Sequence, residues 1–153
     1  MVSNILKRLV VGITLGKAHK LEESEKLLRA SLETSMRTLG PTAAITRNAM
    51  ASLASTLAYA KQEEDSIALF EKLIGYAESA EGTARSDAHY QYATGLAVLG
   101  HKQVALDHLR KAIQFGFANV SELTSDEDLK SLHDDPRFQM LINEIRERQA
   151  AKQ

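Results

Sequence analysis

The sequence predicts an all-α protein, a right-handed superhelical stack of three helical hairpins closed by C-terminal capping helices. The first observation behind this is an internal repeat: GITLGKAHKLEESEKLLRASL, ASTLAYAKQEEDSIALFEKLI and ATGLAVLGHKQVALDHLRKAI share one pattern. Gly12, Ala54 and Ala93 coincide at spacings of 42 and 39 residues, as do Leu15, Leu57 and Leu96. Further along, Ser24, Ser66 and Ala105 precede Leu28, Phe70 and Leu109. The second is helical period inside each segment, as in Met50, Leu53, Ala54 and Leu57, at i, i+3, i+4 and i+7. The third is composition: both prolines, Pro41 and Pro136, sit where helices should begin or end, and 5% aromatic content disfavours a β-sandwich.

Small and large residues alternate for a physical reason. Two helices joined by a tight turn cross closely only where a side chain is small, and a large residue one turn later fills the gap. Six helices are expected at about 4 to 17, 21 to 39, 43 to 60, 63 to 80, 84 to 99 and 102 to 115, with ends uncertain by ~2 to 4 residues. They form hairpins over about 4–39, 43–80 and 84–116 of a single domain, 1–153. Gly40 and Gly82 are expected to end helices in left-handed caps, and Thr42 and Thr83 to accept N–H groups of the next helix. A capping segment follows over about 119–150. In it, Ser125 with Asp128 reads as a capping box for a short helix through Leu132, and Asp135–Pro136 opens a last helix. Phe138, Leu141, Ile142 and Ile145 form the apolar face of that helix, as needed to cover an open stack end.

Nineteen Lys and Arg against twenty Asp and Glu leave a net charge of −1, which provides no positive field for nucleic acid. The absence of cysteine removes disulfides, thiolate chemistry and Cys-based zinc sites. Lys7 and Arg8 ahead of LVVGITLG echo a secretory signal, but the run is broken by glycines and a threonine and GKAHK offers no A-x-A cleavage pattern. Nothing approaches the ~20 apolar residues that span a bilayer. A cytoplasmic protein with no membrane association is expected, ahead of a secreted or periplasmic one.

On these residues the chain resembles the tetratricopeptide repeat over about residues 5 to 115, with its paired small residues and large second-helix residue. LEESEKLLRASLETSMRTLGP is similar to the long-loop repeats of kinesin light chains and bacterial signalling proteins. The tail LRKAIQFGFANVSELTSDEDLKSLHDDPRFQMLI is similar to segments that close such arrays in bacterial multidomain proteins. The resemblance implies a helical-repeat scaffold or adaptor of bacterial origin that binds another protein. The chain departs from the family pattern where Arg8, Met50 and His89 replace the common tryptophan, and where His19 and Lys61 stand at the turn position that is glycine only at Gly100. Ala51 and Ser52 replace the asparagine pair of the kinesin type, and the Lys and Asn clamp of chaperone-binding repeats is missing, so neither ligand carries over.

Catalytic, metal and cofactor motifs are absent. His19, His89, His101, His108 and His133 form no HExxH, the acidic run Asp126–Asp128 lacks EF-hand spacing, and there is no G-x-S-x-G elbow, P-loop or G-x-G-x-x-G. The expectation is a non-enzymatic module that holds a peptide or helix of a partner in a concave groove. First helices line that side, which points to Leu9, Ile13 and Lys17, then Asn48, Ala51, Ser55 and Tyr59, then Asp87, Tyr90, Thr94 and Val98. Tyr59 and Tyr90 are the expected anchors. The first helix carries Ile5, Leu6, Leu9, Val10, Val11, Ile13 and Leu15, more apolar surface than one neighbour covers. Self-association into a homo-oligomer, a target protein or a preceding repeat would cover the excess. A self-associating structural protein, or a C-terminal repeat piece of a larger bacterial signalling enzyme, is the alternative function.

Overall fold

The same backbone turn closes four helices in a computed structural model that describes residues 1–153. Helix α1, Val2–Lys17, ends with His19 at φ +57°, its N–H donating to the Gly16 carbonyl while the Lys20 N–H donates to Leu15. Helix α2 runs Leu21–Leu39 and α3 runs Ala44–Tyr59. After α3, Lys61 at φ +60° donates to Ala58 and Gln62 to Leu57. Helices α4, Glu63–Glu78, α5, Ala84–Leu99, and α6, Lys102–Gln114, complete the three hairpins. Gly100 and Gly116 repeat the two hydrogen bonds after α5 and α6. This is the Schellman arrangement, which turns the chain through one left-handed residue. An L-residue there costs roughly 1–2 kcal/mol. His19 and Lys61 carry that strain where Gly100 does not.

Each hairpin is held by the approach of its two helices. The Ser24 hydroxyl donates to the Gly12 carbonyl at 2.8 Å, and the Ser66 hydroxyl donates to Ala54 at 2.7 Å, one repeat later. Ser31 adds a bond to the Ile5 carbonyl. In the third hairpin Ala93 and Ala105 meet without the hydroxyl, both fully buried. Leu28, Phe70 and Leu109 fill the gap at 0–1% exposure. At Gly12 the space is tightest: a Cβ there would lie 2.8 Å from Leu28 Cγ and Cδ2.

The chain divides into two compact units, Met1–Gly82 and Thr83–Gln153. In the first, α3 packs on α2 and α4 and touches α1. Leu9, Leu28, Ala49, Leu53 and Leu57 form its core cluster, while Ser24 and Thr56 hydroxyls meet at 3.1 Å between α2 and α3. In the second unit, α5 packs on α6, and α6 packs on the last helix, α8, Pro136–Ala151. Between them lie helix α7, Val120–Ser125, and a 3₁₀ helix, Glu127–Leu132, which rests on α5. Leu123, Leu129, Leu132, Phe138, Leu141, Ile142 and Ile145 are buried in this cap.

All six hairpin helices and the Asp135–Pro136 start of α8 stand where the sequence placed them. The Asp135 carboxylate accepts the Arg137 N–H at 2.9 Å. Several caps differ. Thr42 and Thr83 accept no helix N–H; instead the Thr83 hydroxyl donates to the Asp87 carboxylate at 2.6 Å. Gly40 takes φ +82° with ψ 172°, an extended conformation open essentially only to glycine, rather than the left-handed helical one. Helix α4 stops at Glu78, ahead of Gly82. The N-cap of the 3₁₀ helix is Asp126, not Ser125, because Ser125 already closes α7, an element the pattern did not reveal.

Two outcomes follow for stability. Gly12→Ala destabilises by about 1 to 2 kcal/mol, since overpacking of about 1–3 kcal/mol exceeds the helix-propensity gain of about 1 kcal/mol, whereas Gly75→Ala in α4, with no atom near its Cβ, gains about that propensity term. Urea unfolding of the two variants should move the midpoint in opposite directions. Phe138→Ala, which empties a site only 1% exposed, costs about 3 to 5 kcal/mol in the same assay; a loss under about 0.5 kcal/mol would show that α8 is no cap.

Candidate functional site

Helix α1 buries Ile5, Leu9 and Gly12 against α2, whose Ser31, Ser24 and Leu28 meet that face. One residue is about 100° of turn, so Leu6 and Val10, next to Ile5 and Leu9, look elsewhere. With Val2 and Ile13 they form an open strip that ends on Lys17; Leu6 is 41% and Val10 59% exposed. Adding the repeat spacing of 42 gives the matching strip on α3: Ala44, Asn48, Ser52, Ser55 and Tyr59, all exposed or half-buried. His19 lies edge-on to Tyr59, with ring centroids 5.6 Å apart. Adding 39 more gives Asp87, Gln91, Thr94 and Val98 on α5, of which Thr94 is buried with its hydroxyl turned back to the Gln91 carbonyl at 2.7 Å.

The expected groove set is therefore partly displaced by one residue. Ile13, Lys17, Asn48, Ser55, Tyr59, Asp87 and Val98 have surface to offer. Leu9, Ala51, Tyr90 and Thr94 are at most 8% exposed. Val10, Ser52 and Gln91, each one residue further on, have the surface that Leu9, Ala51 and Tyr90 lack, and Leu6 joins Val10 on α1; the Ser24 and Ser66 pairs are the signal for that one-residue phase. Tyr90 has an internal task. Its ring stacks on Phe117 at 4.6 Å and its hydroxyl donates to the Asp126 carboxylate at 2.6 Å. The other Asp126 oxygen accepts the Asp128 N–H at 2.9 Å, so one carboxylate caps the 3₁₀ helix and ties it to α5. Burial first, then this bond, holds the Tyr90 phenol above its ordinary range, so it stays a donor.

Two families match the chain. Tetratricopeptide repeat covers residues 5–79, and the family described as A/B hydrolase-like, N-terminal domain, covers residues 48–153. The chain is a tetratricopeptide-repeat protein of the A/B hydrolase-like, N-terminal domain family. No curated protein and no solved structure matches it. Tetratricopeptide repeats generally bind other proteins, and the fold is typically non-enzymatic. No helix of this repeat protein is long and apolar enough to cross a membrane, and no three His, Asp or Glu side chains converge as metal ligands.

The second unit holds one chemically unusual pair. His89 and His108 face each other with Nδ1 atoms 2.9 Å apart, so one ring donates and the other accepts. Phe115 stacks on His89, and Tyr92 lies 4.3 Å from the His108 ring. Burial, helped by the His89 ring and Lys111 and opposed by Asp107, lowers the His108 imidazole from 6.5 to about 4. The folded chain thus holds His108 neutral where the unfolded chain takes up a proton, so protons favour unfolding between those values. Stability of the repeat protein is expected to hold above pH 6.5 and fall as pH drops from 6.5 toward 4. Urea unfolding across that range should show a shallower fall for His108→Gln, which keeps a hydrogen-bonding partner for His89; equal slopes would show that His108 does not titrate differently in the two states.

Proposed function

We propose that this chain is a non-enzymatic binding module, an adaptor or scaffold that holds a peptide or helix of a partner protein on the open strip of α1 and α3. One observation carries the reading: the strip is apolar on α1, at Leu6 and Val10, where the next repeat has Asn48 and Ser52. Isolated exposed apolar residues are ordinary, but a row of them at helical spacing marks an interaction surface. The α3 residues that meet α2 include Ile45, Ala49, Leu53 and Thr56, and their counterparts on α1 are Ser3, Lys7, Val11 and Thr14, mostly polar. Stacking in this fold uses that other face. A cytoplasmic, bacterial setting is part of the proposal, on the sequence resemblance.

The match over residues 48–153 favours a second reading, in which the module serves beside an α/β-hydrolase-like domain and recruits protein to it. The family description supports a position on the N-terminal side of such a domain. The G-x-S-x-G nucleophile elbow of those hydrolases does not occur among these 153 residues, so any hydrolysis would belong to the neighbouring domain.

An affinity capture from the native source, with mass spectrometry, tests the site. Leu6→Ser/Val10→Ser, checked for folding by circular dichroism, is expected to lose at least about tenfold of the captured partner, equal to about 1.4 kcal/mol. Identical captures by wild type and variant would place binding elsewhere. Recovery of the chain itself would favour self-assembly, and recovery of a hydrolase-like protein would support the second reading.

A further inference from the structure

The open strip also carries a charge pattern that selects its occupant. Helices α1 and α3 contain Lys7, Arg8, Lys17 and Arg47 and no Asp or Glu, and of these Lys17 lies on the strip and Lys7 at its edge, whereas Arg8 is on the far side of α1 and Arg47 turns its guanidinium to the Thr42 carbonyl. Every helical carboxylate of the first unit lies on α2 or α4. The unit is nearly balanced in charge, but its two first helices are wholly basic. Lys17 closes the apolar row of Val2, Leu6, Val10 and the half-buried Ile13, which also packs against the core cluster, and Lys7 adjoins the row from the neighbouring face, one turn before Val10. Beside this row, α3 presents amide and hydroxyl groups at Asn48, Ser52, Ser55 and Tyr59. The surface is thus apolar on α1, hydrogen-bonding on α3, and positive at its end and edge.

We infer that the strip binds an acidic amphipathic helix: a partner segment with apolar residues at i, i+3 or i+4 and i+7, and Glu or Asp flanking them. The proposal rests on the binding-module reading above. Apolar anchors at helical spacing fit a row of Leu6, Val10 and Ile13, as in helix-in-groove recognition. Carboxylates on the flank meet Lys7 and Lys17 without meeting any acid on α1 or α3, which raises the association rate and rejects basic segments. An anionic lipid surface would share the taste for Lys and apolar residues. It would make no directed use of the polar row on α3, so the helix is favoured.

The test sorts a yeast-displayed library against the full chain. The library consists of roughly 18-residue peptides, about five helical turns, with Leu or Ala at i, i+3, i+4 and i+7 and Glu, Lys, Gln or Ser drawn at random elsewhere. Enrichment of Glu is expected, and fluorescence anisotropy of the selected peptides should show at least about tenfold weaker binding to Leu6→Ser/Val10→Ser and to Lys7→Glu/Lys17→Glu, with weakening by salt. Enrichment of Lys or of neutral peptides, an absence of binders, or binding unchanged in both variants overturns the acidic-helix assignment. If that happens while affinity capture still depends on Leu6 and Val10, the site stands and the partner class falls; if capture is also insensitive, both fall. Co-sedimentation with phosphatidylcholine vesicles that requires added phosphatidylserine and is lost in Leu6→Ser/Val10→Ser would assign the strip to lipid and overturn the proposal.

Discussion

Close contact between the two helices of each hairpin is the constraint on which the rest depends. Gly12, Ala54 and Ala93 let a second helix approach until Leu28, Phe70 and Leu109 seat against it with no exposed surface to speak of. The approach brings the Ser24 and Ser66 hydroxyls within hydrogen-bonding range of a carbonyl on the opposite helix, so their burial carries no unpaired polar atom. It also sets the rotational phase of each first helix. Once Ile5, Leu9 and Gly12 are committed to α2, the direction of Leu6 and Val10 follows from helix geometry alone.

The surface of the first unit is a consequence of that phase. A first helix has one face for its hairpin partner, one for stacking and one left over. On α3 the left-over face is polar and on α1 it is apolar, within one architecture and one register. On α1 the left-over surface combines an apolar row with Lys17 at its end and Lys7 beside it. In the second unit comparable chemistry is turned inward: Tyr90, His89 and Tyr92 are buried, and Asp126 and His108 hold them.

Much of the architecture was readable from residues because short-range physics set it. Hairpin spacing, helix limits and the Asp135–Pro136 start all depend on periodicity and capping chemistry within a few residues. The misses have equally local causes. VSELTS is too short and too mixed in polarity to display a helical period, so α7 is not legible in the sequence and its last residue, Ser125, has the chemistry of a cap without being one. Thr83 had the chemistry to cap α5, but Asp87, a single turn away, competes for its hydroxyl. Leu9, Ala51, Tyr90 and Thr94 are buried where surface is expected because the period within one helix does not say which of its faces meets the second helix of the hairpin.

The sequence by itself determined that this chain is a set of helical hairpins with a C-terminal cap, and the approximate span of the six hairpin helices and of α8, because those features rest on spacing and on turn chemistry along the chain. It determined the charge of each helix for the same reason. Only the tertiary structure decided which face of α1 remains open, that Tyr90 belongs to the cap rather than to a groove, and that His89 and His108 share a hydrogen bond. Those outcomes turn on a rotation of one residue, about 100°, and that rotation is settled by contacts between residues 12 to 36 positions apart in sequence, which no local pattern encodes.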